Sequence, residues 1–492
     1  MTPTVLLAPV MFISAILLLT AGFPVAFTLS GIAILFAFIG AAVGAFDVAL
    51  LSSLPLRLIG LMENDLLQAI PIFVFLGVVL QKTTIAGDLL EAMSGLFGTR
   101  PGGLGISTLL IGVLLAPMTG AVGATVLTMG MLTLPTMLSA GYDKRLASGI
   151  VCAAGTLGTI LPPSVILILL ATMIQSGYVE AMARTGQHIS SPLLTKHIYL
   201  GALVPVGLLL VLYIAYVALT AWLQPHRCPP VTMPAERPLT ARRILIAIAV
   251  PVGLIVGMLG AIVTGWIYTV EAAASGAILV SLLAFARGEL TLERFADSLR
   301  TVMRLTAMVF ALMIGALTFT LVFRGLDGDL TVARWLAQVP GGPAGATAAA
   351  MLVAFVTGFF LDATEIILLV VPVAAVPLLA LDVDPIWLSV LLAVNLQTSF
   401  LAPPAGFALN FVRTIAPPGL GTADIYRGAL PMIAIQLVAL ALLWAAPQTA
   451  IAMAGRPPNL PAGHAPPGDP TLRIDPPLAE EPPPPDMLPA RK

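Results

Sequence analysis

Two stretches of this chain place oxygen-bearing residues beside an interrupted apolar run: GTLGTILPPSVILILL at 155–170 and LQTSFLAPPAGFALN at 396–410. In each, a proline pair (Pro162–Pro163 and Pro403–Pro404) stands where a helix would otherwise continue. Proline removes an N–H and clashes with the turn before it, so carbonyl oxygens of that turn lose their partners. Freed carbonyls, with the hydroxyls of Thr156, Thr159, Thr398 and Ser399, can bind a small cation, while Gly155, Gly158 and Gly406 allow close approach. The half-helices that restart at Ser164 and Ala405 turn free N–H groups toward an anion. Arg413 is the one arginine close to a broken span, and it reads first as a cytoplasmic anchor at a span end.

Carboxylates form a second group. GFFLDATEIILLVVP (358–372) sets Asp362 and Glu365 in otherwise apolar surroundings. A charge at the bilayer centre costs roughly 2.5–3.5 kcal/mol on insertion scales, which makes such residues candidates for ion binding or proton carriage. The competing role is to cap a helix start. These carboxylates lie in VTGFFLDATEIILLVVPVAAVPLL (356–379), whose counterpart is VLLAPMTGAVGATVLTMGMLTLPTML (113–138). Both have arms too short to cross alone, and each reads as a re-entrant hairpin; Thr119 to Thr125 form a small, polar middle in the 113–138 stretch.

Only a membrane fold can position these residues. Of 492 residues 59% are hydrophobic and 10% charged, with a mean hydropathy of +1.03, more apolar surface than a soluble core can hide. Apolar runs long enough to span recur from Leu6 to Ala446, roughly a dozen crossings or part-crossings at about 20 residues each. The first run has no Lys or Arg ahead of it and exceeds signal-peptide length, so it reads as a retained helix. A net charge of −1 offers no basic face for nucleic acid. Cys152 and Cys228 read as inert thiols, and the four histidines have no metal-ligand spacing. No phosphate-binding loop supports a nucleotide-driven pump, and no paired aspartates or Ser/His set supports an intramembrane protease. A purely structural subunit would not need two broken helices at matched depth.

The proline pairs are 241 residues apart, and other landmarks repeat at intervals of 239 to 242. Gly87-Asp88-Leu89 recurs as Gly328-Asp329-Leu330, Arg100-Pro101-Gly102-Gly103 as Val339-Pro340-Gly341-Gly342, and Pro135 as Pro377. The chain therefore divides into N-terminal scaffold helices (1–68), a first copy (69–223), a linker with two connecting spans (224–302), a second copy (303–446) and a Pro-rich, disordered tail (447–492). In the first copy the hairpin covers about 103–138 and the broken helix about 144–175; in the second they cover about 342–380 and 385–416. Residues 176–196 read as a polar surface insertion, and 224–243 as an exposed linker. Arg227, Arg237, Arg242 and Arg243 lie two spans away from Arg287, Arg294, Arg300 and Arg304, which puts both clusters in the cytoplasm. The two copies are then inverted, with the N-terminus and the tail periplasmic.

TGAVGAT, AGTLGTILPPS, GFFLDATEIILLVVP and LAPPAGFALN, in this order, resemble the large membrane subunit of the tripartite ATP-independent periplasmic (TRAP) transporters over roughly residues 5–446. The resemblance implies an all-α polytopic fold of two inverted repeats, each with a re-entrant hairpin and a broken transmembrane helix, moving as an elevator. It implies sodium-driven import of a small organic anion across the bacterial inner membrane, with no enzymatic activity and no cofactor besides sodium. Its partners are a small four-helix membrane subunit and a periplasmic substrate-binding protein. Carried over, one sodium site takes Thr119, Gly120 and Gly123 with Thr156, Gly158 and Pro162; a second takes Asp362 and Thr364 with Gln397, Thr398, Ser399 and Pro403. Substrate contacts fall to Thr125, Ser164, Gly406 and Arg413. The hairpin tip TGAVGAT departs from the serine-rich tip of many relatives, and PMTGAVGAT looks closest to members that carry α-keto acids or dicarboxylates. The alternative is a proton-coupled transporter using Asp362 or Glu365.

Overall fold

A computed structural model describes residues 6–115, 122–158, 160–186, 193–230, 241–403 and 406–454. Three helices open the chain: α1 (Leu7–Thr20), α2 (Val25–Ala42) and α3 (Leu54–Met62). The first copy follows as α4 (Asp65–Gln81), α5 (Ile85–Phe97), α6 (Gly103–Leu115), α7 (Val122–Ser139), α8 (Lys144–Leu157), α9 (Val165–Thr185) and α10 (Thr195–Leu223). Two connecting spans, α11 (Ala241–Val263) and α12 (Thr269–Ala286), lead into α13 (Leu292–Gly325) and α14 (Gly328–Gln338). The remainder is α15 (Gly342–Thr357), α16 (Ala363–Leu369), α17 (Val371–Ala380), α18 (Pro385–Leu401), α19 (Phe407–Thr414), α20 (Thr422–Ala445) and α21 (Gln448–Ala454). Eight of these helices are long and apolar enough to cross a membrane, or up to 11 spans if each sharply bent pair counts as one. At about 1.5 Å per residue the 34-residue α13 measures about 51 Å, well beyond the hydrocarbon layer.

The repeat governs local structure down to single caps. Asp143 Oδ1 accepts the N–H groups of Arg145 (3.1 Å) and Leu146 (3.0 Å) at the start of α8. Asp384, 241 positions later, does the same for Ile386 (2.8 Å) and Trp387 (2.9 Å) at the start of α18. Each cap satisfies N–H groups that a helix start leaves open and stabilises it by about 1 kcal/mol. From those caps α8 and α18 run into the middle of the molecule. Every residue of α8 from Leu146 to Leu157 is buried, as is the whole of α18, so neither shows a face to lipid.

Around these two central helices the copies interlock. α8 lies against its own hairpin, α6 and α7, and against α20 of the other copy. α18 lies against α15 of its own hairpin and against both α10 and α20. After the breaks the pairing crosses over: α9 packs on α17, and α19 packs on α7. Outside this block, α2, α4, α12 and α13 pack on one another, and α5 and α14 connect the two groups. Glycines set the closest approaches. A Cβ on Gly149 would lie 2.2 Å from the Gly428 carbonyl oxygen, and one on Gly428 2.0 Å from that of Arg145, so α8 and α20 meet backbone to backbone.

Three expectations change. Residues 176–185 are not an insertion but the last turns of α9, where Gly177, Tyr178, Ala181 and Met182 are buried; 187–192 lie outside the described residues. The linker begins as an ordered element, because a 3₁₀ turn at Pro225–Arg227 leads to a fully buried Cys228 whose carbonyl accepts the Gly102 N–H at 2.8 Å. The tail starts as helix α21, with Ala450 buried against Gly201; 455–492 lie outside the described residues.

Candidate ion and substrate site at the two helix breaks

The two copies meet where their broken helices end. Thr156, in the last turn of α8, and Gln397, in the last turns of α18, are equivalent positions 241 residues apart, and Gln397 Nε2 donates to Thr156 Oγ1 at 3.3 Å. Equivalent residues touch each other only on a two-fold axis, so the pseudo-symmetry axis of the repeats passes through this bond. Both side chains are fully buried.

The hydrogen-bond inventory of this pair leaves one oxygen over. Thr156 donates its single proton to the Ala153 carbonyl at 3.1 Å and can therefore only accept from Gln397. That requirement turns the amide nitrogen of Gln397 toward Thr156 and its oxygen the other way. Gln397 Oε1 is buried and has no hydrogen-bond partner among the described residues. A buried acceptor left unpaired costs about 1–3 kcal/mol, which a cation at this position would offset.

Further oxygens follow Gln397 along the chain. The Thr398 and Ser399 hydroxyls donate back to the Val394 (2.8 Å) and Leu396 (2.7 Å) carbonyls, which leaves each hydroxyl oxygen with acceptor capacity only. Beyond α18, the Gly406 N–H donates to the Ala402 carbonyl at 3.1 Å, and a Cβ on Gly406 would sit 2.5 Å from the Phe400 carbonyl oxygen. Only glycine fits there. Pro162 and Pro163 fill the α8–α9 break, and Ser164 heads α9 in extended conformation.

Each hairpin touches the break of its own copy. A Cβ on Gly155 of α8 would strike Val126 of α7 at 2.4 Å, and one on Gly358, beyond α15, would strike the Ser399 hydroxyl at 2.1 Å. Gly123 lies under the Phe411 ring of α19, 2.4 Å from a built Cβ, so the first hairpin also bears on the second break; Thr125, two residues on, is buried in α7. Asp362 stands at the N-cap of α16, where its own N–H donates to Glu365 Oε2 at 3.0 Å and the Ala363 and Thr364 N–H groups turn toward its carboxyl. The carboxylates thus take up the helix-start geometry anticipated as their competing role.

The structure joins Thr156 directly to Gln397; Ser399, two residues further along α18, lies against Gly358, Gly406 follows the α18 break, and Gly123 and Thr125 belong to the hairpin arm α7. Arg413 lies apart, exposed in the last turn of α19, where it suits the negative end of that helix. Thr119, Gly120, Thr159, Pro404 and Ala405 lie outside the described residues. Sequence reasoning missed the direct bond between Thr156 and Gln397 and the matched caps Asp143 and Asp384. Adding 241 to each number finds the matched caps and the equivalence of Thr156 with Gln397, but not their contact.

The chain matches the family described as tripartite ATP-independent periplasmic transporter, DctM component, over residues 12–449. It is 27% identical to the C4-dicarboxylate TRAP transporter large permease protein DctM of Pseudomonas aeruginosa, covering 83% of this chain and 92% of the relative. It is 26% identical to the ectoine/5-hydroxyectoine TRAP transporter large permease protein UehC of Ruegeria pomeroyi, covering 89% and 96%. The solved structure of the Alcanivorax borkumensis YdaH transporter aligns with a TM-score of 0.61 at 16% identity, over 83% of this chain and 90% of that one, a likeness of fold. Repeat, paired breaks, hairpins and a match over nearly the whole length agree: the chain is a multi-pass membrane permease, not an enzyme, and belongs to the DctM family of TRAP transporter large subunits.

Proposed function

We propose that this chain is the large subunit of a secondary transporter in a bacterial inner membrane, importing a small organic anion on an inward sodium gradient. The anion is a carboxylate, an α-keto acid or dicarboxylate, delivered by a periplasmic binding protein; a four-helix membrane subunit completes the complex. The N-terminus and the segment after α21 are periplasmic.

The observation that carries this reading is the enclosed Gln397 Oε1 on the pseudo-symmetry axis. Sodium takes neutral oxygen donors, and this centre supplies an amide, hydroxyls and carbonyls at the two helix ends. Glutamine does not titrate, so a bound cation suits the position better than a carried proton. A sodium ion here ties both hairpins to both breaks at once, because Gly155–Val126 and Gly358–Ser399 join each hairpin to its own break and Gly123–Phe411 crosses between copies. The N–H groups that open α9 and α19 then meet the anion with the positive ends of two helices, a role for Ser164 and Gly406 that needs no buried arginine.

Transport follows as an elevator. The hairpins, both broken spans, α10, α20 and α21 form a carriage; α1 to α5 and α11 to α14 form the frame on which it slides. The test is the melting temperature of the purified full chain as sodium chloride replaces potassium chloride at constant ionic strength. Wild type gains a saturable, sodium-specific rise, worth about 2.7 kcal/mol at 100 times Kd, and Gln397→Leu loses it. A wild type indifferent to sodium, with uptake driven by pH and abolished in Asp362→Asn, would replace this reading by proton coupling.

A further inference from the structure

The ion pairs among the described residues fall into three groups, and one of them connects the carriage to the frame. Lys82–Asp297 (2.5 Å), Arg287–Asp88 (3.0 Å) and Arg287–Glu289 (3.6 Å) join frame elements around α4, α5, α12 and α13. Arg145–Asp424 (3.3 Å) and Arg227–Asp143 (3.1 Å) lie within the carriage and the loop that follows α10. The third group runs from the end of α9 to the α13–α14 corner. Glu180 Oε2 meets Arg324 at 2.5 Å, Arg184 meets Asp329, and Arg184 also meets Glu180 at 2.7 Å.

Two features mark this group as more than surface decoration. Asp329 is only 12% exposed at its side chain, and Glu180 25%, so solvent screens these pairs less than it screens open surface pairs. An apolar crevice of about 200 Å³ also opens between frame and carriage, where Phe12 of α1 and Phe323, Val332 and Trp335 of the α13–α14 arm face Val353 of α15 and Val373 of α17. A gap without polar contacts lets the hairpin shift at little electrostatic cost, and leaves the ion pairs beside it as the polar ties to be broken.

The repeat supplies the contrast. Asp88 and Asp329 are equivalent residues of the two Gly-Asp-Leu corners. Asp88 pairs with Arg287 at the end of α12, frame to frame, whereas Asp329 pairs with Arg184 of the broken span, frame to carriage.

We infer that Arg184–Asp329 and Glu180–Arg324 form an ionic latch that holds the carriage in the position seen here and opens in each transport cycle. The inference rests on the elevator reading above. It is tested on the full chain in lipid nanodiscs, with spin labels at Val179→Cys on α9 and Val256→Cys on α11, both exposed positions; the native cysteines are buried. The expected distance distribution has one dominant population in 0.1 M KCl. Asp329→Asn and Arg324→Gln each raise a second population at least fivefold, and 1 M KCl does the same to wild type. Two populations in wild type whose ratio none of these changes moves would overturn the latch and leave the elevator standing. One invariant distance throughout, in a chain that still melts higher in sodium, would overturn both latch and elevator while sparing the sodium site.

Discussion

The two broken spans begin alike and end differently. α8 and α18 start on matching aspartate caps, reach the same axis, and stop within a few residues of one another in repeat register. Beyond the breaks, α9 continues for 21 residues to the ion pairs with α13 and α14, whereas α19 ends after eight, and the turn that follows is pinned by Lys144 Nζ donating to the Gly419 carbonyl at 2.7 Å. Shape is held constant where the two copies must complement each other around one centre. It diverges where each arm meets its own side of the molecule.

The largest effect should come from spoiling the seat of one broken span and not the other. Gly428→Val drives a side chain into the Arg145 carbonyl and costs about 3 kcal/mol, at the top of the overpacking range. Gly201→Val, at the seat of α18, costs less, about 1–2 kcal/mol, because the nearest atom, Ile386 Cγ2 at 2.6 Å, is a side-chain methyl and the nearest backbone atom, the Ala450 carbonyl oxygen, stands off at 3.1 Å. Thermal unfolding of both variants in one detergent checks the order; equal losses would mean the two seats are equivalent.

Next comes the axis itself. Thr156→Val removes the acceptor of the Gln397 amide and should cost about 1–3 kcal/mol, yet keep a weakened sodium response because Oε1 remains. Gln397→Leu should abolish the response with a smaller change in basal stability, since an enclosed unpaired oxygen leaves with it. Sodium titrations of the melting temperature separate the two, and an intact response in Gln397→Leu would remove this oxygen from the site.

The smallest effect sharpens the caps. Burial pushes the Asp143 carboxyl up, but the Leu146 N–H and the Arg227 guanidinium outweigh it and hold the group below its ordinary value of 3.8. Its contribution is therefore complete above pH 4 and fades as pH falls through the lowered value. Asp143→Asn should cost about 0.5–1 kcal/mol at pH 7, discounted because the pair is about one-third exposed, and progressively less as pH falls through the lowered value. A loss independent of pH would assign the cap to hydrogen bonding alone.

Much of this was readable from residue order. The paired prolines, the 241-residue interval and the hairpins followed from where helices must break inside lipid. The crosswise packing was not, because glycines such as Gly149 and Gly428 lie far apart in the chain and any apolar helix could have faced either. The polar end of α9 misled for a different reason: Glu180 and Arg184 look like a loop until Arg324 and Asp329 appear beside them. Asp362 and Glu365 read either as ion or proton carriers or as a helix cap, and the Asp362 N–H donating to Glu365 Oε2 gives the cap geometry.

The contact of α8 with α20 also has a consequence for biosynthesis. Arg145 and Asp424, which bond across it, are 279 residues apart, so at about 5–20 residues per second the ribosome needs roughly 15–60 s to supply the second after the first. Throughout that interval the first broken helix is already in the bilayer with its backbone interrupted and its glycine face uncovered. Among the described residues, the last long helix to emerge is the one that closes over it, which makes the nascent first half the stage at which this protein most depends on the insertion machinery for shelter.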